Sequence, residues 1–223
     1  MATEFTRMGI VYLHLIACCV AIGLVLTNDI DLVMRLIKAE PDDALDPGHF
    51  SDLQKTVSRA LIALWITGVA LITLDASTKG WIYFSNPKLQ SKVAVVMLLT
   101  LNGFALHKYV LPLMQKAGSL LRLSFSERLL AVFAGTVSGV SWFYAALLGI
   151  GRPLNWKYSL GEILAAYPVL IAGGFVSMLA LTAFAQYKSN CRSRAVHVTS
   201  TAGAGSKVRT WLVDRFTSIG PAY

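Results

Sequence analysis

The sequence predicts an all-α fold, a polytopic membrane helical bundle with five transmembrane helices. Three observations carry that prediction. Five apolar stretches, at about residues 8–27, 57–75, 93–114, 129–150 and 163–187, hold their few charged residues toward their ends. Each supplies the roughly 20 helical residues that a hydrocarbon core about 30 Å thick requires. The composition is 55% hydrophobic and only 14% charged, with a mean hydropathy of +0.59, too little polar surface to clothe a soluble core. Helix-start signals then stand ahead of the apolar runs, where orphan backbone donors are costly.

The first run lacks a strongly basic leader and ends in Thr27-Asn28-Asp29 rather than a small-x-small site, so it reads as the first transmembrane helix. Ile30, Val33, Met34 and Ile37 keep helical spacing and extend it to about residue 39. The acidic stretch 40–52 reads as an exposed turn region, because Asp42, Asp43 and Asp46 fit no calcium-loop spacing. Ser51-Asp-Leu-Gln54 is a capping-box pattern opening the second helix. Trp81 and Tyr83 fall where aromatic rings favour a membrane interface, as do Trp156 and Tyr158 later. Asn86-Pro87 predicts an N-cap followed by proline at the first position of the third helix.

Ser124-Phe-Ser-Glu127 and Ser159-Leu-Gly-Glu162 are capping boxes for the fourth and fifth helices. Gly135-Thr-Val-Ser-Gly139 is a small-xxx-small pattern, expected to pack the fourth helix on the Gly173-Gly174 patch of the fifth, or else to form a homodimer face. Pro168 is expected to kink the fifth helix. The chain thus divides into a transmembrane domain, residues 1–187, and a basic tail, residues 188–223. In the tail, 200–206 reads as a flexible linker. Val208, Trp211, Leu212, Phe216 and Ile219 then trace an interfacial amphipathic helix, the alternatives being a disordered tail or a partner-docking segment.

Basic residues set the orientation. The side of the amino terminus holds Arg7, Lys79, Lys88, Lys92, Arg152 and Lys157, and the other fourteen Lys and Arg lie opposite. The positive-inside rule therefore places the carboxyl terminus in the cytoplasm and the amino terminus outside a bacterial inner membrane. The net charge of +8 serves this asymmetry, and no basic patch with interleaved aromatics suggests nucleic acid. Three cysteines, two of them adjacent, make no disulfide framework.

Two histidines stand inside the apolar stretches. His14 shares a helical stripe with Cys18, Ala21, Val25 and Asn28. Imidazole and thiolate suit copper or haem iron, although two donors on one helix are an incomplete set, and a packed structural histidine is the plainer reading. His107 shares its stripe with Thr100 and Gly103, whose missing side chain leaves room beside the imidazole; beside Lys108 it also reads as an interfacial residue. Counted from the outer edge, His14 lies roughly 9 Å deep and His107 roughly 22 Å deep, an offset that argues for two sites rather than one iron between them. Asp75 and Lys92, at the outer helix ends, could form a polar pocket near His14 or simply snorkel to water. No mid-membrane carboxylate is evident, which disfavours carboxylate-driven transport.

Tyr12-Leu13-His14, Lys79-Gly80-Trp81-Ile82-Tyr83, Asn86-Pro87 and Lys92 together resemble an uncharacterised bacterial family of multi-pass membrane proteins, over about residues 9–115. His14 and Lys92 are more distantly similar to the functional pair of the J-type membrane protoporphyrinogen oxidase, and a first-helix histidine also resembles the copper-resistance D membrane proteins. The oxidase likeness implies an imidazole for haem or porphyrin and an ammonium for a propionate. The five spans, the acidic first loop and the basic tail depart from that family. The expectation is a haem-, porphyrin- or metal-binding redox protein. His14, Lys92 and His107 are its cofactor residues, and His14 with Cys18 its metal ligands. The alternatives are a non-catalytic membrane subunit with a partner membrane protein or a second copy, and a copper or small-solute permease.

Overall fold

The computed structural model describes the backbone of residues 2–38, 47–118, 120–154 and 156–217. Side chains are described for residues 3–38, 55–118, 120–151, 153–154 and 156–191. Helix α1 runs Ala2–Lys38 and α2 runs Pro47–Lys79; a 3₁₀ turn at Trp81–Ser85 leads into α3, Pro87–Ala105. A π-helical turn, Leu106–Val110, joins α3 to α4, Leu111–Ala117, making one continuous crossing segment. Helices α5, Phe125–Ile150, and α6, Leu160–Thr217, complete the chain. Among the described residues, five helical segments are long and apolar enough to cross a membrane, which agrees with the five stretches read from the sequence.

The start signals account for three of the four inter-helix entries. Asn86 accepts from the Lys88 backbone N–H at 3.0 Å with Pro87 at the first position. Ser124 and Glu127 close a reciprocal capping box, and Ser159 and Glu162 close another. The capping box expected at Ser51 is not the start of α2, which begins four residues earlier at Pro47, where proline has no N–H to leave orphaned. The acidic residues 39–46 lie outside the described residues, while 47–52 are helical rather than a turn.

Helix α5 is the hub and touches α1, α3 and α6. On α6 it meets Tyr167, whose hydroxyl lies 2.8 Å from the Ser141 hydroxyl, and the Ile163 carbonyl, which accepts from the Tyr144 hydroxyl. Val95 of α3 and Leu148 of α5 close this cluster. Nearer the middle, Ala21, Ala60, Leu99 and Trp142 bring α1, α2, α3 and α5 together on small residues and one indole. Trp65 of α2 donates to the Thr100 hydroxyl of α3 at 3.0 Å, and Asn102 of α3 donates to the Ala134 carbonyl of α5 at 2.9 Å. Such hydrogen bonds hold helices together in a medium that offers no water to compete.

The packing of α5 on α6 does not use the Gly135/Gly139 pattern. A Cβ on Gly174 would stand 2.9 Å from Thr136 Cγ2, whereas one on Gly135 would meet nothing within 4 Å. Gly139 faces α1 instead, with Asp29 Oδ2 at 3.4 Å from a Cβ placed there. The small residue that lets α5 and α6 approach is therefore Gly174. Helix α6 continues through Pro168 and through residues 200–206, so its backbone is helical where a linker was expected. The side chains beyond Cys191, and residues 218–223 altogether, lie outside the described residues.

Candidate functional site

The residues that could carry chemistry separate into three levels along the bundle. At the end bearing the amino terminus, Arg7 Nε pairs with Asp75 Oδ1 at 3.0 Å and Lys79 Nζ with Asp75 Oδ2 at 3.3 Å. The Tyr83 hydroxyl also donates to Asp75, and Lys79 stands 4.9 Å from the Tyr83 ring centroid. Burial, reinforced by the Asp75 carboxylate, pushes the Tyr83 phenol up to about 12, so it remains a protonated donor at neutral pH. Asp75 is thus satisfied by Arg7, Lys79 and Tyr83. Of the two readings of Asp75, a pocket shared with Lys92 or a solvated helix end, the structure shows its carboxylate paired with Arg7 of α1 and Lys79 of its own helix.

One level inward, α1, α2 and α3 bring His14, Thr67, Cys18 and Lys92 together. His14 Nδ1 lies 2.8 Å from Thr67 Oγ1. The Thr67 hydroxyl has one proton, and it is directed to the Ala63 carbonyl at 2.6 Å. Toward His14, therefore, Thr67 accepts, which puts the imidazole proton on Nδ1 and a lone pair on Nε2. Gly68 of α2 lies beside the ring, where a Cβ would make an ordinary contact with His14 Cε1 at 3.7 Å. Lys92 lies within electrostatic reach of both His14 and Cys18. Among the described residues its ammonium makes no ion pair and no hydrogen bond, although a cation inside a helical bundle ordinarily keeps a partner.

The third level is a mainly apolar cavity of about 980 Å³ between α1, α3 and α5, with α2 and α6 contributing. Thr100, Gly103 and His107 share its wall, as their common stripe implied, and the π-helical turn carries His107. Neither His14 nor Lys92 lines this cavity or the smaller one between α1 and α2. The two histidines belong to separate levels, in line with the offset inferred from helix rise.

The metal expectation fares less well. Among the described residues no three His, Cys, Asp or Glu side chains are grouped as a metal ion would require. His14 and Cys18 offer two donors from a single helix face, and among the described residues no third His, Cys, Asp or Glu joins them. Sequence reasoning missed three participants. Thr67 carries no signal of its own, because a helical threonine usually bonds only to its own turn. Arg7 stood ahead of the apolar run and read as an orientation charge. Asp29 was placed past the end of the first span, yet it lines the cavity opposite Gly139. No protein-family model, no curated protein and no solved structure matches the chain.

Proposed function

We propose that this is a multi-pass protein of a bacterial inner membrane, amino terminus outside, that binds a carboxylate-bearing tetrapyrrole, haem or porphyrin, at His14 and Lys92. What supports the reading is the orphan ammonium. Lys92 sits inside the bundle beside His14 and Cys18 with no anionic partner among the described residues, and a propionate supplies the missing charge. The orientation of His14 agrees with it. A ligating histidine characteristically donates its other ring N–H to an oxygen acceptor, as Nδ1 does here to Thr67, and so presents Nε2.

The residues fit the organic ligand better than a bare metal. Copper held by His14 and Cys18 alone would lack a third protein donor, whereas a porphyrin asks of the protein only an axial or edge contact and a countercharge. A bound haem would contribute one-electron redox chemistry. The chain's part is to present Nε2, neutralise a carboxylate with Lys92 and keep the imidazole fixed through Thr67.

A titration of haemin into the purified full-length protein in phosphatidylcholine nanodiscs tests this, read by the Soret band against empty nanodiscs. Saturable binding with a shifted band is expected for the wild type, with a loss of at least about tenfold in affinity for His14→Ala. Identical titrations for the two proteins would remove His14 from the site.

A further inference from the structure

The cavity contains a second unpaired charge of the opposite sign. Asp29 lines it from α1 with its carboxylate against Gly139 of α5. Gly139 stands midway between Arg128 and Ile150, about 16 Å of helical rise from each, so Asp29 lies at the mid-depth of the bundle. Among the described residues no hydrogen bond or ion pair reaches this carboxylate. A Cβ on Gly139 would stand 3.4 Å from Oδ2, an ordinary contact distance, which fixes how closely α1 and α5 approach here.

We infer that the cavity is a binding site for a lipophilic organic cation, with the cationic centre paired to Asp29 and the apolar body held against the walls. Charge complementarity selects the class. Asn28, next to Asp29, adds an amide to the lining, and Trp142 and Tyr144 add aromatic rings, groups favourable to a weakly hydrated cation. At about 980 Å³ the cavity lies at the upper end of the range of ligand sites, roughly 300–1,000 Å³, ample for a bulky amphiphile. A mainly apolar chamber with one unpaired carboxylate rejects anions by repulsion and offers neutral solutes no more than the surrounding lipid does. This site is distinct from His14 and Lys92, which do not line it.

Equilibrium binding of radiolabelled tetraphenylphosphonium to the full-length protein in phosphatidylcholine nanodiscs tests the inference, with empty nanodiscs subtracted. The wild type should bind it saturably, and Asp29→Asn should weaken binding by at least about tenfold. Asp29→Glu, which keeps the charge, should stay within about threefold of wild type. In the wild type alone, excess tetrabutylammonium should displace the probe, whereas triphenylphosphine oxide, of similar bulk but uncharged, should not. Absent saturable binding, equal affinity for wild type and Asp29→Asn, or equal displacement by the neutral compound overturns it. The last outcome would mark a cavity that takes apolar bulk, lipid included, regardless of charge.

Discussion

A single hydroxyl decides the state of His14. Because Thr67 spends its proton on the Ala63 carbonyl, it can only accept from the imidazole, and the tautomer with a lone pair on Nε2 follows. Thr67→Val should therefore lower haemin affinity by about 10- to 100-fold, the usual cost of losing an outer partner of a ligating histidine. Thr67→Ser should restore it; equal affinity in Thr67→Val and wild type would show that the hydroxyl does not set the ring. At this scale the sequence was partly legible. His14 and Cys18 stood out because ionisable or soft side chains are rare within apolar runs, whereas Lys92, just ahead of the third run, was singled out by the resemblance. Asp29 did not, because the apolar run stops at Thr27 and a carboxylate just beyond it reads as solvated. Only the packing of α1 against the middle of α5 reveals its depth.

Among the helices, the contact of α5 with α6 turns on Gly174. Gly174→Ala drives a methyl to 2.9 Å from Thr136 Cγ2, and the branched, buried Thr136 has little room to yield. A destabilisation of about 1–3 kcal/mol is expected, visible as a lower thermal midpoint in detergent. Gly135→Ala meets open space and should be neutral, or stabilising by up to about 1 kcal/mol through helix propensity. Reversal of that order would return the packing role to Gly135. The small-xxx-small pattern misled because spacing gives a face but not its partner. The capping boxes at Ser124 and Ser159 were read correctly because they are local, needing only four consecutive residues. The Ser51 pattern failed for the same reason in reverse, since Pro47 upstream offers an earlier start.

At the scale of the bundle, two opposite charges have no partner among the described residues, Lys92 toward the end bearing the amino terminus and Asp29 at mid-depth. The charge asymmetry of the loops predicts that a green fluorescent protein fused after Tyr223 will fluoresce and that an alkaline phosphatase fused there will be inactive; the opposite pair of results would invert the orientation. Five spans were legible because 20-residue apolar runs have few other uses, whereas the levels of the bundle depend on contacts between distant segments. The central claim is that Lys92 awaits a carboxylate. The most direct measurement compares protoporphyrin with its dimethyl ester, titrated into wild type and Lys92→Met in nanodiscs. The account predicts that the free acid binds wild type at least about tenfold tighter than the ester, once the ester's stronger partitioning into empty nanodiscs is subtracted, and that Lys92→Met abolishes the difference. Equal affinity of acid and ester for the wild-type protein would contradict it.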